Sequence, residues 1–179
     1  MKTILVGIQG SGKSTQGNLL SEKLGLPYLS TGHIFREIAK EHTPLGRHMK
    51  EVMNAGYLIS DDQAIEIVRD YLQRSEYSKG YILDGFPRTV AQAESFDNDM
   101  DHVIYLAVSD EEALRRISGR QDATREDETL AAINRRIESF HKFTKPVLEY
   151  YKEKGVLIEV DGEKSIEDIH HAIIEKLKI

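Results

Sequence analysis

An α/β fold, with a parallel sheet covered by helices on both faces, is what this sequence predicts. Three observations predict it. Short, nearly continuous apolar runs alternate with longer amphipathic stretches along the 179 residues, as expected for buried strands joined by helical crossovers. A glycine-rich loop separates the first apolar run from the first helical stretch. The length suits one domain, 1–179, that buries roughly 70% of its unfolded surface without staples. That matters because the chain has no cysteine, hence no disulfide and no Cys-ligated zinc.

Each element follows from local pattern. Residues 3–7 predict the first strand, and Leu19, Leu20 and Leu24 mark the helix after the loop. A weaker strand is predicted over 27–30. From Thr31 to Asp62, three glycines and one proline punctuate short helical stretches with no strand, so 30–60 reads as a helical insertion. Further strands are predicted over 81–84, 102–107 and 156–160, and 119–128 is charged and turn-prone. Residues 127–154 predict the longest helix, kinked at Pro146. In the last helix Ile166, Ile169, Ile173 and Leu177 share one face, after Ser165 as N-cap.

Composition narrows the function. Lys and Arg number 24 against 30 Asp and Glu, a formal net charge of −6, which argues against nucleic-acid and anionic-membrane partners. No apolar run approaches the ~20 residues of a membrane span, and the start lacks a signal peptide's layout. A cytoplasmic monomer is the default, with an oligomer left open.

Gly7-Ile8-Gln9-Gly10-Ser11-Gly12-Lys13-Ser14 matches G-x-x-x-x-G-K-[ST] in full, between a strand pattern and a helix pattern. Glycines let successive backbone N–H groups face an anion, and the helix N-terminus adds partial positive charge. Lys13 reaches the β- and γ-phosphates of a nucleoside triphosphate, and Ser14 or Thr15 faces Mg²⁺ or a phosphate. Asp84 closes a strand at the ligand edge of the sheet and is the second Mg²⁺ contact, direct or through water. The chain lacks the Asn-Lys-x-Asp segment of guanine readers, since no Asn is followed by Lys.

Further segments carry a resemblance. Ser30-Thr31-Gly32 with Arg36, Asn54-Ala55-Gly56-Tyr57-Leu58-Ile59-Ser60-Asp61, Asp84-Gly85-Phe86-Pro87-Arg88-Thr89 with Gln92, the series Arg116, Arg120, Arg125 and Arg136, and Val160-Asp161-Gly162 all stand in order. Together they resemble the adenylate kinases of the nucleoside monophosphate kinase family over nearly the whole chain. The resemblance implies a P-loop NTPase three-layer sandwich on a five-stranded parallel sheet, with an AMP-binding insertion and a lid. It implies Mg²⁺-dependent transfer from ATP to AMP, giving two ADP. Gly10, Ser11, Gly12, Lys13, Ser14 and Thr15 would hold ATP, with Arg116, Arg120 and the backbone near Lys164. Thr31, Gly32, Arg36, Met53, Tyr57, Leu58, Ile59, Gly85, Arg88 and Gln92 would form the AMP site, with Gln92 reading adenine. Arg125 and Arg136 would clamp the phosphates in transfer. Lys13, Asp84, Arg88, Arg116, Arg120, Arg125 and Arg136 are the catalytic set.

Two departures stand out. His33 occupies the family's usual Asp position and reads as a tolerated exposed substitution. Only Gln121-Asp122-Ala123-Thr124 separate Arg120 from Arg125, so 120–126 reads as a vestigial lid turn with no zinc-bearing flap. The rivals are a UMP/CMP kinase, disfavoured by Thr89 and Gln92, and a nucleotide-dependent switch or assembly ATPase, which needs no acceptor site. Arg115 and Arg135 match no family contact and read as surface residues.

Overall fold

The computed structural model describes residues 1–96, 99–119 and 129–179. Five strands form one parallel sheet in the order β2-β3-β1-β4-β5: β1 Lys2–Val6, β2 Tyr28–Ser30, β3 Tyr81–Asp84, β4 His102–Ala107 and β5 Leu157–Asp161. The strands thus lie within a residue or so of their predicted positions. β1 pairs with β3 so that Leu5 stands opposite Asp84. The chain leaves β1 toward one edge for β2 and β3, then crosses to the other for β4 and β5. Crevices outside the C-terminal strand ends at such a crossing hold ligands in open α/β sheets.

Strand alternation sorts the core into two layers. Ile4, Leu83 and Val103 face one side, with Phe35, Ile133 and Val147 packed on them. Leu5, Ile82, Ile104 and Leu106 face the other, covered by Leu20 and by Ile169, Ile173 and Leu177. Leu20 lies on α1 (Lys13–Leu24), and the last three lie on α9 (Ile166–Leu177). Each such side chain, fully buried, contributes roughly 1.5–3 kcal/mol. Ser165 Oγ accepts from Asp168 N at 3.1 Å, as expected of the N-cap. Ile166, the first residue of the helix, differs from the rest of its predicted stripe, being 52% exposed.

The segment predicted as an insertion contains α2 (Thr31–Lys40) and α3 (Pro44–Asn54), followed by α4 (Asp61–Leu72). α5 (Val90–Ser95) and α6 (Asp110–Ser118) follow β3 and β4. The predicted helix 127–154 divides, and residues 127 and 128 lie outside the described residues. α7 spans Leu130–Ser139 and α8 spans Lys145–Glu153, with a π-helical turn at Phe140–Thr144 between them. Lys145 N donates to Phe140 O, five residues back. A proline lacks an N–H and crowds the carbonyl four residues before it. The wide turn before Pro146 accommodates both effects, so the predicted kink takes the form of a π turn.

α7 fastens the insertion. Arg136 Nη2 donates to Met53 O at 2.9 Å and Arg135 to Ala55 O, at the C-terminal end of α3, whose carbonyls favour positive charge. Gly56, at φ +77°, passes so close to α7 that a Cβ there would lie 2.6 Å from Ala132 O. Gly56→Ala therefore lowers stability by roughly 2–4 kcal/mol through left-handed strain and overlap. Chemical denaturation checks this, and a loss under ~0.5 kcal/mol contradicts it.

Candidate active site

The site begins where β1 turns into α1. Gly12 caps that helix at φ 91°, ψ 10°, a left-handed conformation open to glycine, and no side chain caps the end. The first N–H groups of α1 are thus left for an anion. Lys13 Nζ donates to Gly7 O at 2.8 Å and to Ile8 O at 2.9 Å. Its ammonium lies folded onto the carbonyls of its own loop.

Asp84 ends β3 beside this loop and is 5% exposed. Its Oδ2 accepts from Tyr28 OH at 2.7 Å, while Oδ1 is buried and has no hydrogen-bond partner among the described residues. Burial, then the charge of Asp84, push the Tyr28 phenol above its ordinary range, so it stays a donor. The buried carboxylate oxygen and the Ser14 hydroxyl of the same cleft are hard donors suited to Mg²⁺ or its water shell. Among the described residues no three His, Asp or Glu gather as a metal cage. Mg²⁺ bound mainly through substrate phosphates and water requires none.

Facing the phosphate loop is a group of guanidinium ions. Arg88 Nε donates to Gly85 O at 2.7 Å, and Thr144 Oγ1 donates to Arg88 O at 2.9 Å. Arg136 Nη1 reaches Gln9 Oε1 at 3.4 Å, so this side chain spans from the phosphate loop to the insertion. Arg36 and Arg136 line the same cleft, which encloses about 200 Å³. Burial holds Arg88 below its ordinary range, Arg136 and Arg36 push it the same way, and Asp84 opposes them. Guanidinium keeps its charge regardless, so these like charges are assembled at an electrostatic cost.

Gln92 is 2% exposed and lines the cleft. Its Oε1 accepts from Arg88 N at 2.7 Å, and its Nε2 donates to Asp61 Oδ1 at 2.8 Å. Thr89 Oγ1 donates to the same carboxylate oxygen at 2.9 Å.

Most of the predicted residues converge. Gly10, Gly12, Lys13, Ser14, Thr15, Gly32, Arg36, Met53, Tyr57, Leu58, Ile59, Asp84, Gly85, Arg88, Gln92 and Arg136 all line this one cleft. Ser11 and Thr31 are buried behind it, and Thr31 Oγ1 donates to Asp84 O at 3.1 Å. Lys164 is exposed away from the cleft lining. Arg116 is held on α6 by Glu112, at 2.6 Å. Hydrogen bonds from Arg115 and Arg116 hold that carboxyl down to about 2. Arg115 is exposed, as its sequence suggests. Arg135 differs: it is part-buried, bonded to Ala55 O and lies 4.5 Å from the centre of the Tyr57 ring. His33 is exposed. Arg120, Arg125 and the predicted lid turn 120–126 lie outside the described residues.

Tyr28, Asp61 and Thr144 were not visible as site residues. Asp61 stands inside a segment that carried the resemblance. Tyr28 and Thr144 act through hydroxyls whose direction only the fold sets.

A family model described as adenylate kinase matches residues 5–156. A protein of Caldicellulosiruptor bescii described as adenylate kinase is 36% identical, with all of both chains covered. Adenylate kinases of Clostridium botulinum and Methanocella arvoryzae are each 37% identical over 94% of both chains. The first comparison runs over 214 aligned positions, against the 179 residues of this chain.

Crowded cations around an open anion site give a direct expectation. Tripolyphosphate raises the thermal midpoint, because binding to the folded state alone adds about 2.7 kcal/mol at a hundredfold excess over Kd. Lys13→Met and Arg88→Met each flatten this response in a thermal-shift titration. An unchanged response in both variants contradicts the placement of the anion.

Proposed function

The chain belongs to the adenylate kinase family, and on that premise we propose how its residues carry out reversible phosphoryl transfer from ATP to AMP, giving two ADP. The observation that carries the assignment of roles is the pairing of a phosphate loop with a second cationic site across one cleft. Lys13 and the loop form the first site, and Arg36, Arg88 and Arg136 form the second.

ATP phosphates take the N–H groups of Gly10, Gly12, Lys13, Ser14 and Thr15, while the Ser11 N–H holds the loop through Ile8 O at 3.1 Å. Lys13 exchanges its loop carbonyls for the β- and γ-phosphates. The AMP phosphate lies between Arg36 and Arg88, whose planar forks suit phosphate oxygens, and Gln92 faces its base. Arg136 sits between the two polyanions and, with Arg125, clamps the phosphates in transfer, while Arg116 and Arg120 serve the ATP side. Arg116 does so by trading Glu112 for phosphate. An ionised AMP oxygen attacks the γ-phosphorus, the bond to the β–γ bridging oxygen breaks, and that oxygen keeps the electron pair as ADP leaves. The acceptor, with a second pKa near ~6, is largely ionised at pH 7, so no general base is needed. Mg²⁺, taken by Ser14 and Asp84 partly through water, would neutralise charge on the β- and γ-oxygens. The protein supplies position and fixed positive charge.

Residues 120–126 leave room for a turn in place of a flap. Lids exclude water and complete a site, so a chain with so short a cover leaves the γ-phosphate more open to water.

An assay of ADP formation with ATP and AMP, UMP, CMP or GMP in turn tests the reading. AMP supports the fastest transfer. ATP consumption that no monophosphate stimulates would indicate a switch, and faster transfer to UMP or CMP would displace the adenylate reading. Lys13→Met and Arg88→Ala each lower kcat/KM on the order of 10³-fold, and a near-normal rate in either overturns its role. ATP hydrolysis without AMP is measurable by phosphate release, and none at enzyme concentrations that give many turnovers contradicts the open cover.

A further inference from the structure

Gln92 carries an amide, and an amide is ambiguous. Rotated by half a turn, it exchanges its acceptor for its donors at almost no steric cost. Here both ends meet groups of fixed character. Arg88 N–H can only donate, and it lies 2.7 Å from Oε1. The Asp61 carboxylate can only accept, and its Oδ1 lies 2.8 Å from Nε2. A rotated amide would set N–H against N–H at one end and oxygen against carboxylate at the other. Thr89 Oγ1 holds the same Oδ1 at 2.9 Å, so the carboxylate is itself fixed. One N–H and one lone pair of Gln92 remain, and Gln92 lines the cleft.

We propose that Asp61 is a positioning residue for base selection, holding Gln92 in one amide orientation so that the cleft distinguishes 6-amino from 6-oxo purine monophosphates. The inference rests on the reading above that Gln92 faces the base of AMP. Adenine presents a donor at position 6 and an acceptor at N1. Hypoxanthine presents an acceptor and a donor at the same two places. A freely rotating amide matches either base, whereas a fixed one matches a single pattern and leaves the other base with opposed like groups. Buried mismatches of this kind are rejected strongly. The contact comes from the first turn of α4, where a carboxylate is also stabilised by the helix N-terminus.

The test compares kcat/KM for AMP and IMP in the full chain, for the unaltered enzyme, Asp61→Asn and Gln92→Leu. Asp61→Ala serves if Asp61→Asn does not fold. Asparagine can turn either an oxygen or an amide nitrogen toward Gln92, so only the Arg88 N–H still orients it. The AMP-to-IMP preference then falls at least tenfold, with the AMP loss in KM more than in kcat. AMP and IMP rates that drop together, or a preference that stays within twofold while Gln92→Leu abolishes it, overturn the role of Asp61 and leave Gln92 as base reader. A preference that survives Gln92→Leu removes the base-reading role, and the proposal with it.

Discussion

The parallel pairing of β1 with β3 is the constraint on which the rest depends. With Leu5 opposite Asp84, the two strands end within one residue of each other. The loop leaving β1 and the turn leaving β3 then emerge side by side. Two parts of the proposed site hang from that edge. The first turn supplies Gly12 and Lys13, the second supplies Asp84, Gly85 and Arg88. A register slip would also turn the alternating faces of these strands over. Ile4 and Leu83 would lose one apolar layer, and Leu5 and Ile82 the other. The core therefore defends the geometry of the site.

Positive charge is gathered at that edge against its own repulsion. Arg88 is pressed by burial and by Arg36 and Arg136, with Asp84 as the local counterweight. The backbone carries part of the load: Lys13 rests on Gly7 O and Ile8 O, Arg88 on Gly85 O, and Arg136 on Met53 O. Carbonyl oxygens are weaker partners than phosphate oxygens. These contacts hold the cations in place, and in the proposed transfer they give way to a better acceptor. Arg136 also ties α3 to the phosphate loop, through Met53 O and Gln9 Oε1.

Much of this was legible in the sequence, for identifiable reasons. Strands buried on both faces announce themselves as apolar runs, and the phosphate loop is a contiguous string whose spacing is its mechanism. The Asp84–Arg88 segment is equally local. What stayed hidden depends on direction in space. Arg135 looks like any helix-surface arginine, yet the close approach at Gly56 brings Ala55 O within its reach. Tyr28 OH and Thr144 Oγ1 point into the site only because β2 and the π turn rotate them there. Pro146 signals a kink, but its form depends on which carbonyl the N–H of Lys145 just before it finds. The hydrogen bond from Gln92 to Asp61 joins two helices whose sequences carry no sign of contact.

The central claim is that one cleft holds two phosphate sites close enough for direct transfer between nucleotides. Supplying ADP and Mg²⁺ alone tests it most directly, since both sites must then be filled by the same molecule. The account predicts ATP and AMP in equal amounts, with no early release of inorganic phosphate. ADP left unchanged, or AMP appearing with phosphate and without ATP, would contradict it.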